Sequence, residues 1–184
     1  VAGSLALIAT LYGERGRKWL PEFAHSLTKQ TRQPDELYII GETVSIPSGV
    51  VPYSYEINWV LDRTQCDYVT YATDDSWPEP EKYDLMARAL DEHPDWGAVY
   101  CGQVRNGSTY PADRVVEDAY CVLDHCQVMH RRTADRWTLD WANVKLGDAT
   151  FWRALHASLG PFYPVEGPIL DVTQQTPDGL TARL

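Results

Sequence analysis

Residues 68–80 read YVTYATDDSWPEP, a β-prone run that stops at two adjacent carboxylates, Asp74 and Asp75, with Pro78 and Pro80 close behind. The pair has two readings. In one it opens a turn, its Asp and Ser oxygens accepting backbone N–H groups ahead of a helix that begins near Pro80. In the other it holds a cation, because ligands of open parallel sheets bind beyond the carboxyl ends of the strands. Neighbours on an extended segment point to opposite sides. One acid is therefore expected to ligate the ion and the other to hold a second group or a bound water. Oxygen-only ligation suits Mg²⁺ or Mn²⁺ better than Zn²⁺.

Outward from this stretch, strand-like and helix-like periodicities alternate, which is the mark of an α/β layer fold. LALIATLY (5–12) reads as a first buried strand and GERGRK (13–18) as a charged loop. Leu20, Phe23, Ala24 and Leu27 then give one helical face, with Pro21 placed in a first turn. ELYIIG (36–41) suits a parallel strand covered on both faces. Ile57, Val60 and Leu61 mark a helix before the strand DYVTYA (67–72). Tyr83, Met86, Ala87 and Leu90 mark the next, closed by His93-Pro94 and followed by the strand WGAVYCG (96–102). In the second half, VLDHCQVMHRR (122–132) reads as a strand, TADRW (133–137) as a short helix and GDATFWRALHASLG (147–160) as a helix ended by glycine. The last residues read as a strand and a tail. The fold class expected is α/β, with a mostly parallel, Rossmann-like central sheet and helices on both faces.

Composition limits the partners. A chain of 184 residues with 44% hydrophobic and 11% aromatic residues can build one core. Twenty-six acids against sixteen bases give a formal charge of −10, which repels a nucleic-acid polymer unless the bases are segregated, and they are not. Cys66, Cys101, Cys121 and Cys126 form no CxxC pair, which favours free thiols in a reducing compartment; the cytoplasm is expected. No apolar run approaches the roughly 20 residues of a membrane span, and SLALIATLY lacks the basic flank of a signal peptide. Asn106-Gly107 reads as a tight turn rather than a glycosylation sequon.

The order of parts resembles the nucleotide-sugar half of the family-2 glycosyltransferases, enzymes of the GT-A fold. The motifs are Thr10-Leu11-Tyr12-Gly13 at the first strand end, then Ser26, Leu27, Gln30, Thr31, Pro34 and Glu36 over the first helix and turn. The run from Asn58 to Tyr68 leads into Thr73-Asp74-Asp75. Later come Cys126 to Arg132 and Gly147-Asp148-Ala149-Thr150-Phe151-Trp152. The similarity covers most of residues 5–170.

This resemblance implies a single GT-A-like domain over 1–184: about 1–102 as the nucleotide-sugar and metal-binding half, about 103–170 as the acceptor half, and 171–184 as a tail. It implies transfer of a sugar from a nucleoside-diphosphate donor, a UDP-sugar first among candidates, to the hydroxyl of a glycan, protein or small molecule, with inversion. Mn²⁺ or Mg²⁺ at Asp75, helped by Asp74, would neutralise the departing diphosphate. Thr10 and Tyr12 would line the base pocket, and Asp148 would act as general base. Glu14, Arg15, Glu42, Asn58, Arg131 and Arg132 complete the donor-side candidates. Asp148 as a plain helix cap and the two arginines as ordinary salt-bridge partners are the competing readings.

The chain departs from the family pattern at several places. Gly41-Glu42 replaces an acidic pair, Thr73 replaces the first acid of a triplet, Ile57 an arginine, and Gln174 or Gln175 a histidine. A zinc quartet of Cys121, His125, Cys126 and His130 is disfavoured, because a strand would point His125 away from Cys126 and His130. The rival functions are an inactive nucleotide- or glycan-binding module of the same fold and a nucleotidyltransferase. The second would want a glycine-rich basic first loop, of which GERGRK is a thin version.

Overall fold

The computed structural model describes residues 2–41, 45–117, 123–142 and 147–173, the Arg15 side chain excepted. The elements run β1 (Leu5–Thr10), α1 (Gly13–Thr28), β2 (Glu36–Ile40), α2 (Pro52–Leu61), β3 (Tyr68–Thr73) and β4 (Ser76–Pro78). They continue with α3 (Lys82–Glu92), β5 (Ala98–Arg105), β6 (Ser108–Tyr110), a 3₁₀ turn (His125–Gln127), β7 (Val128–Arg131), α4 (Gly147–Leu159) and β8 (Phe162–Thr173).

One sheet carries the domain in the order β2-β1-β3-β7-β5-β8-β4, with β6 paired to β5. The pairs β1–β2, β1–β3 and β5–β8 are parallel, and β7 is inserted antiparallel between β3 and β5. The parallel Rossmann-like half is as expected, and the later strands make the sheet mixed. The insertion fixes the site, because an antiparallel β7 begins where β3 ends.

Side chains alternate across the pleat, so each central strand feeds two cores. Leu5, Leu7 and Ala9 of β1, with Val99 and Cys101 of β5, pack under α1 and α3 against Phe23, Leu27, Tyr83, Met86 and Leu90. Ile8, Val69, Tyr71, Ala98 and Tyr100 face the other way, under α2 and α4, against Ile57, Val60, Phe151, Trp152 and Leu155. Helices thus cover both faces, each burying the stripe that its spacing defines. The second core is rich in rings: Trp137 stacks on Phe151 at 4.9 Å, and Tyr71 lies edge-on to both Trp137 and Trp152.

Several local expectations are corrected. GERGRK is the first turn and a half of α1 rather than a loop; Glu14, Arg17 and Lys18 form its exposed face, and Gly13 supplies the positive φ of +60° at its start. Pro21 therefore sits inside the helix, where it removes one backbone bond. TADRW is not helical, because Thr133 and Asp135 bond each other instead and Trp137 drops into the core. Asn106 and Gly107, with φ of 50° and 80°, make the β5–β6 turn as read. The tail does not begin at 171: β8 runs to Thr173, and Asp171 is fully buried.

Candidate functional site

The carboxyl ends of β1 and β3 lie side by side, with Thr10 paired to Thr73. The backbone after β1 is pressed against β2, since Leu11 N–H bonds the Ile40 carbonyl at 2.8 Å. A Cβ on Gly41 would stand 2.1 Å from the Leu11 oxygen, so only glycine allows this approach. Thr10 is half-buried here. Tyr12 caps α1 and donates its hydroxyl to Glu56, a carboxylate 1% exposed on α2. The hydroxyl of the ring expected against a nucleobase is thereby held by α2.

Asp74 and Asp75 form the turn between β3 and β4. It is not an ordinary surface turn, because the two residues are only 7% and 9% exposed. Downstream, Trp77 pairs with Val172 of β8 and packs edge-on against Trp19 of α1 at 5.7 Å. The Gln30 amide donates to the carbonyls of Pro78 and Glu79 at 3.1 and 2.9 Å. Two buried carboxylates on a stapled turn offer the hard oxygen donors that Mg²⁺ or Mn²⁺ takes, so the residues present fit such an ion.

From Asp75 a chain of contacts crosses to α4. Thr73 Oγ1 donates to Asp75 Oδ1 at 2.7 Å and lies 3.4 Å from Cys126 Sγ. Burial pushes the Cys126 thiol up, so it stays protonated and donates to the threonine oxygen. The next side chain, His125, places Nδ1 3.2 Å from Asp148 Oδ2 and 3.6 Å from Asp124 Oδ1. Burial works against the imidazolium, but the Asp148 carboxylate within hydrogen-bond reach offsets it and raises the His125 pKa above its ordinary value. Asp148 occupies the first turn of α4. Tyr53 closes this corner: a Cβ on Gly147 would come within 2.7 Å of its hydroxyl. Burial, then the Asp148 charge, push the tyrosine's pKa up.

The structure therefore brings Thr10, Tyr12, Asp74, Asp75 and Asp148 to one edge of the sheet. Glu14 is exposed on the first turn of α1, near this edge. Glu42, Cys121, Gln174, Gln175 and the Arg15 side chain lie outside the described residues.

Three donor-side candidates make structural contacts elsewhere in the fold. Asn58 faces the 133–140 segment, where Nδ2 donates to the Trp137 carbonyl at 2.9 Å and Oδ1 accepts the Trp137 N–H at 2.8 Å; its amide is spent on structure. Arg131 pairs with Tyr68, at the start of β3, and Arg132 follows it. The five residue steps from Tyr68 to Thr73 put this end roughly 16 Å from the acids. There Arg131 donates to the carbonyls of Trp96 and Leu90, and Arg132 to Gln65.

The zinc quartet does not assemble among the described residues. His130 is fully buried and uses both nitrogens, on Tyr71 Oη at 2.9 Å and on the Arg131 carbonyl at 2.7 Å. Asp124, His125 and Cys126 do bring one possible ligand atom each within 4.8 Å. The Asp124 carboxylate is already engaged there by the Cys126 N–H and by Arg105.

What the sequence reading missed is the turn itself. Asp124 Oδ1 accepts the Cys126 N–H at 3.0 Å and Gln127 Oε1 accepts the Asp124 N–H at 3.1 Å, a capping box on a single 3₁₀ turn. The D-x-x-Q spacing of Asp124 and Gln127 was the available signal.

No family model matches the chain. The chain is 32% identical over 145 residues to protein CgeD of Bacillus subtilis (strain 168), a match that covers 68% of this chain and 34% of CgeD. Among solved structures, S. aureus TarS 1–349 in complex with UDP-GlcNAc superposes with a TM-score of 0.72 at 11% identity, over 98% of this chain and 61% of that one. Glucosyl-3-phosphoglycerate synthase from Mycobacterium tuberculosis, in complex with Mn²⁺, UDP-glucose and phosphoglyceric acid, gives 0.63 at 11% identity, over 96% and 73%. The chain has the fold of the GT-A glycosyltransferases. It spans about a third of the length of CgeD.

Proposed function

We propose that this chain carries the donor site and the base of an inverting, family-2-like glycosyltransferase. It would move a sugar from a nucleoside-diphosphate donor, a UDP-sugar first, to an acceptor hydroxyl. The observation that carries this reading is the convergence of Asp75 and Asp148 on one sheet edge, linked through Thr73, Cys126 and His125. The UDP-sugar complexes of two proteins that share the fold support it.

Thr10 and Tyr12 line the base side of the crevice, and the buried Asp74 and Asp75 face the diphosphate. A divalent ion held by these two acids would supply positive charge to the leaving group. Asp148 takes the proton of the acceptor hydroxyl as that oxygen attacks the anomeric carbon from the side opposite the diphosphate. The C–O bond to the β-phosphate then breaks, and the nucleoside diphosphate leaves. The three buried free thiols, Cys66, Cys101 and Cys126, support a reducing compartment, the cytoplasm. No helix among the described residues is long and apolar enough to cross a membrane.

Calorimetric titration with UDP, GDP and dTDP, with and without Mn²⁺, tests the donor site. Metal-dependent binding of UDP is expected. Absence of binding by all three contradicts the reading, and binding without any turnover of UDP-glucose or UDP-GlcNAc assigns the inactive module instead.

A further inference from the structure

His125 is fixed in place by an amount of structure that a surface turn does not need. Besides the capping box, Lys82 Nζ of α3 donates to the Cys126 carbonyl at 2.6 Å and Gln127 Nε2 donates to the Cys101 carbonyl of β5 at 2.9 Å. Arg105 Nη2, also of β5, pairs with Asp124 Oδ2 at 3.2 Å. The Cys126 carbonyl thus depends on a fully buried lysine, and the turn is held from two elements remote in sequence. The side chain carried by this clamped turn is the His125 imidazole, edge-on to Trp137 at 6.0 Å and within hydrogen-bond reach of Asp148.

We infer that His125 is a positioning residue for acceptor activation: its Nδ1–H donates to Asp148 Oδ2 and fixes the plane of that carboxylate for proton pickup from the acceptor. This rests on the reading of Asp148 as the base. An ionised carboxylate can only accept, so the imidazole proton belongs on Nδ1. With Oδ2 taking that N–H, the acceptor proton goes to the other carboxylate oxygen. Neither the bond count nor the charge of the transfer changes. The gain is orientation, which costs nothing at the moment of reaction because the turn is already built.

The test uses hydrolysis of UDP-glucose and UDP-GlcNAc with Mn²⁺, with water as acceptor, alongside UDP titration and thermal unfolding of each variant. His125→Ala is expected to lose about 10- to 100-fold in kcat, the range for a hydrogen-bond partner of a working ligand or base. KM and UDP affinity stay unchanged. His125→Asn, whose side-chain N–H falls near the Nδ1 position, recovers most of that loss, whereas His125→Gln, which mimics Nε2, does not. A nitrogen-15 spectrum of the native protein shows a hydrogen-bonded Nδ1–H on His125 that shifts in Asp148→Asn.

Equal kcat in native and His125→Ala overturns the inference. So does equal loss in the Ala and Asn variants, which would mark a packing role. Failure of the native protein to bind UDP is a separate result that removes the donor-site reading beneath it. UDP binding with an unperturbed His125 spectrum in Asp148→Asn removes the histidine–aspartate pair alone.

Discussion

Lys82 Nζ lies 2.6 Å from Asp171 Oδ1 with both side chains fully buried, which ties the start of α3 to the end of β8. Asp171 also accepts from Ser76 Oγ at 2.9 Å and from Gln103 Nε2 at 2.9 Å. Gln103 Oε1 in turn accepts from Arg105, which reaches Asp124. The pair is thus the root of a polar network that ends at the His125 turn. Burial pulls the ammonium pKa down, but Asp171 outweighs it and holds it above its ordinary value.

Removing one partner of such a pair leaves an uncompensated buried charge. Lys82→Met is expected to lower unfolding stability by about 3–5 kcal/mol, read from urea midpoints. A loss no larger than that of a surface lysine would show that the pair is solvated in solution.

His130 gives the fold a pH dependence of its own. Burial depresses its pKa from 6.5 to about 4, and the neutral ring accepts Tyr71 Oη on Nε2 while Nδ1–H donates to the Arg131 carbonyl. The unfolded chain binds this proton below pH 6.5 and the folded chain does not until about pH 4, so stability falls as pH drops through that window. The contribution is roughly 3 kcal/mol. The difference in pH slope between native protein and His130→Gln, measured by chemical denaturation, should show this component only between those values. Parallel slopes would contradict it.

Asn58→Ala separates structure from donor binding. Each Trp137 backbone group loses its partner, at a cost of roughly 1–3 kcal/mol in stability. UDP affinity should stay the same, by titration below the unfolding temperature.

Asp148→Asn keeps the shape of the α4 N-terminus and removes the carboxylate proposed as the base. Donor hydrolysis should fall by about 10²- to 10⁴-fold, with UDP binding intact. An unaltered rate would make Asp148 a helix cap and no more.

What was legible in the sequence follows from what each feature depends on. The ends of β1 and β3 are readable to within two residues, because buried strands write β-prone runs: LALIATLY and DYVTYA close at 12 and 72, where the strands end at Thr10 and Thr73. The place of Asp148 in the first turn of α4 is readable from glycine, acid and amphipathic helix in series. Arg131 and Arg132 were misplaced because the direction of β7 is set by pairing with Tyr68 and Ala98, which no local pattern records. The His125 turn is hidden in the sequence for a similar reason. HCQVMH alternates well enough for a strand, and the lysine that bends it lies 44 residues upstream. Asn58 fitted a family position by spacing, yet its partner is a loop 79 residues away.

The central claim is that Asp74 and Asp75 hold a divalent cation against a nucleoside diphosphate, and the direct measurement is the electron paramagnetic resonance of Mn²⁺ titrated with protein and UDP. The account predicts that the free-ion signal is lost in the presence of both protein and UDP, more than with UDP alone, and that Asp75→Asn restores it. A signal that responds to UDP but not to the protein, or that is lost equally with the native chain and Asp75→Asn, would contradict it.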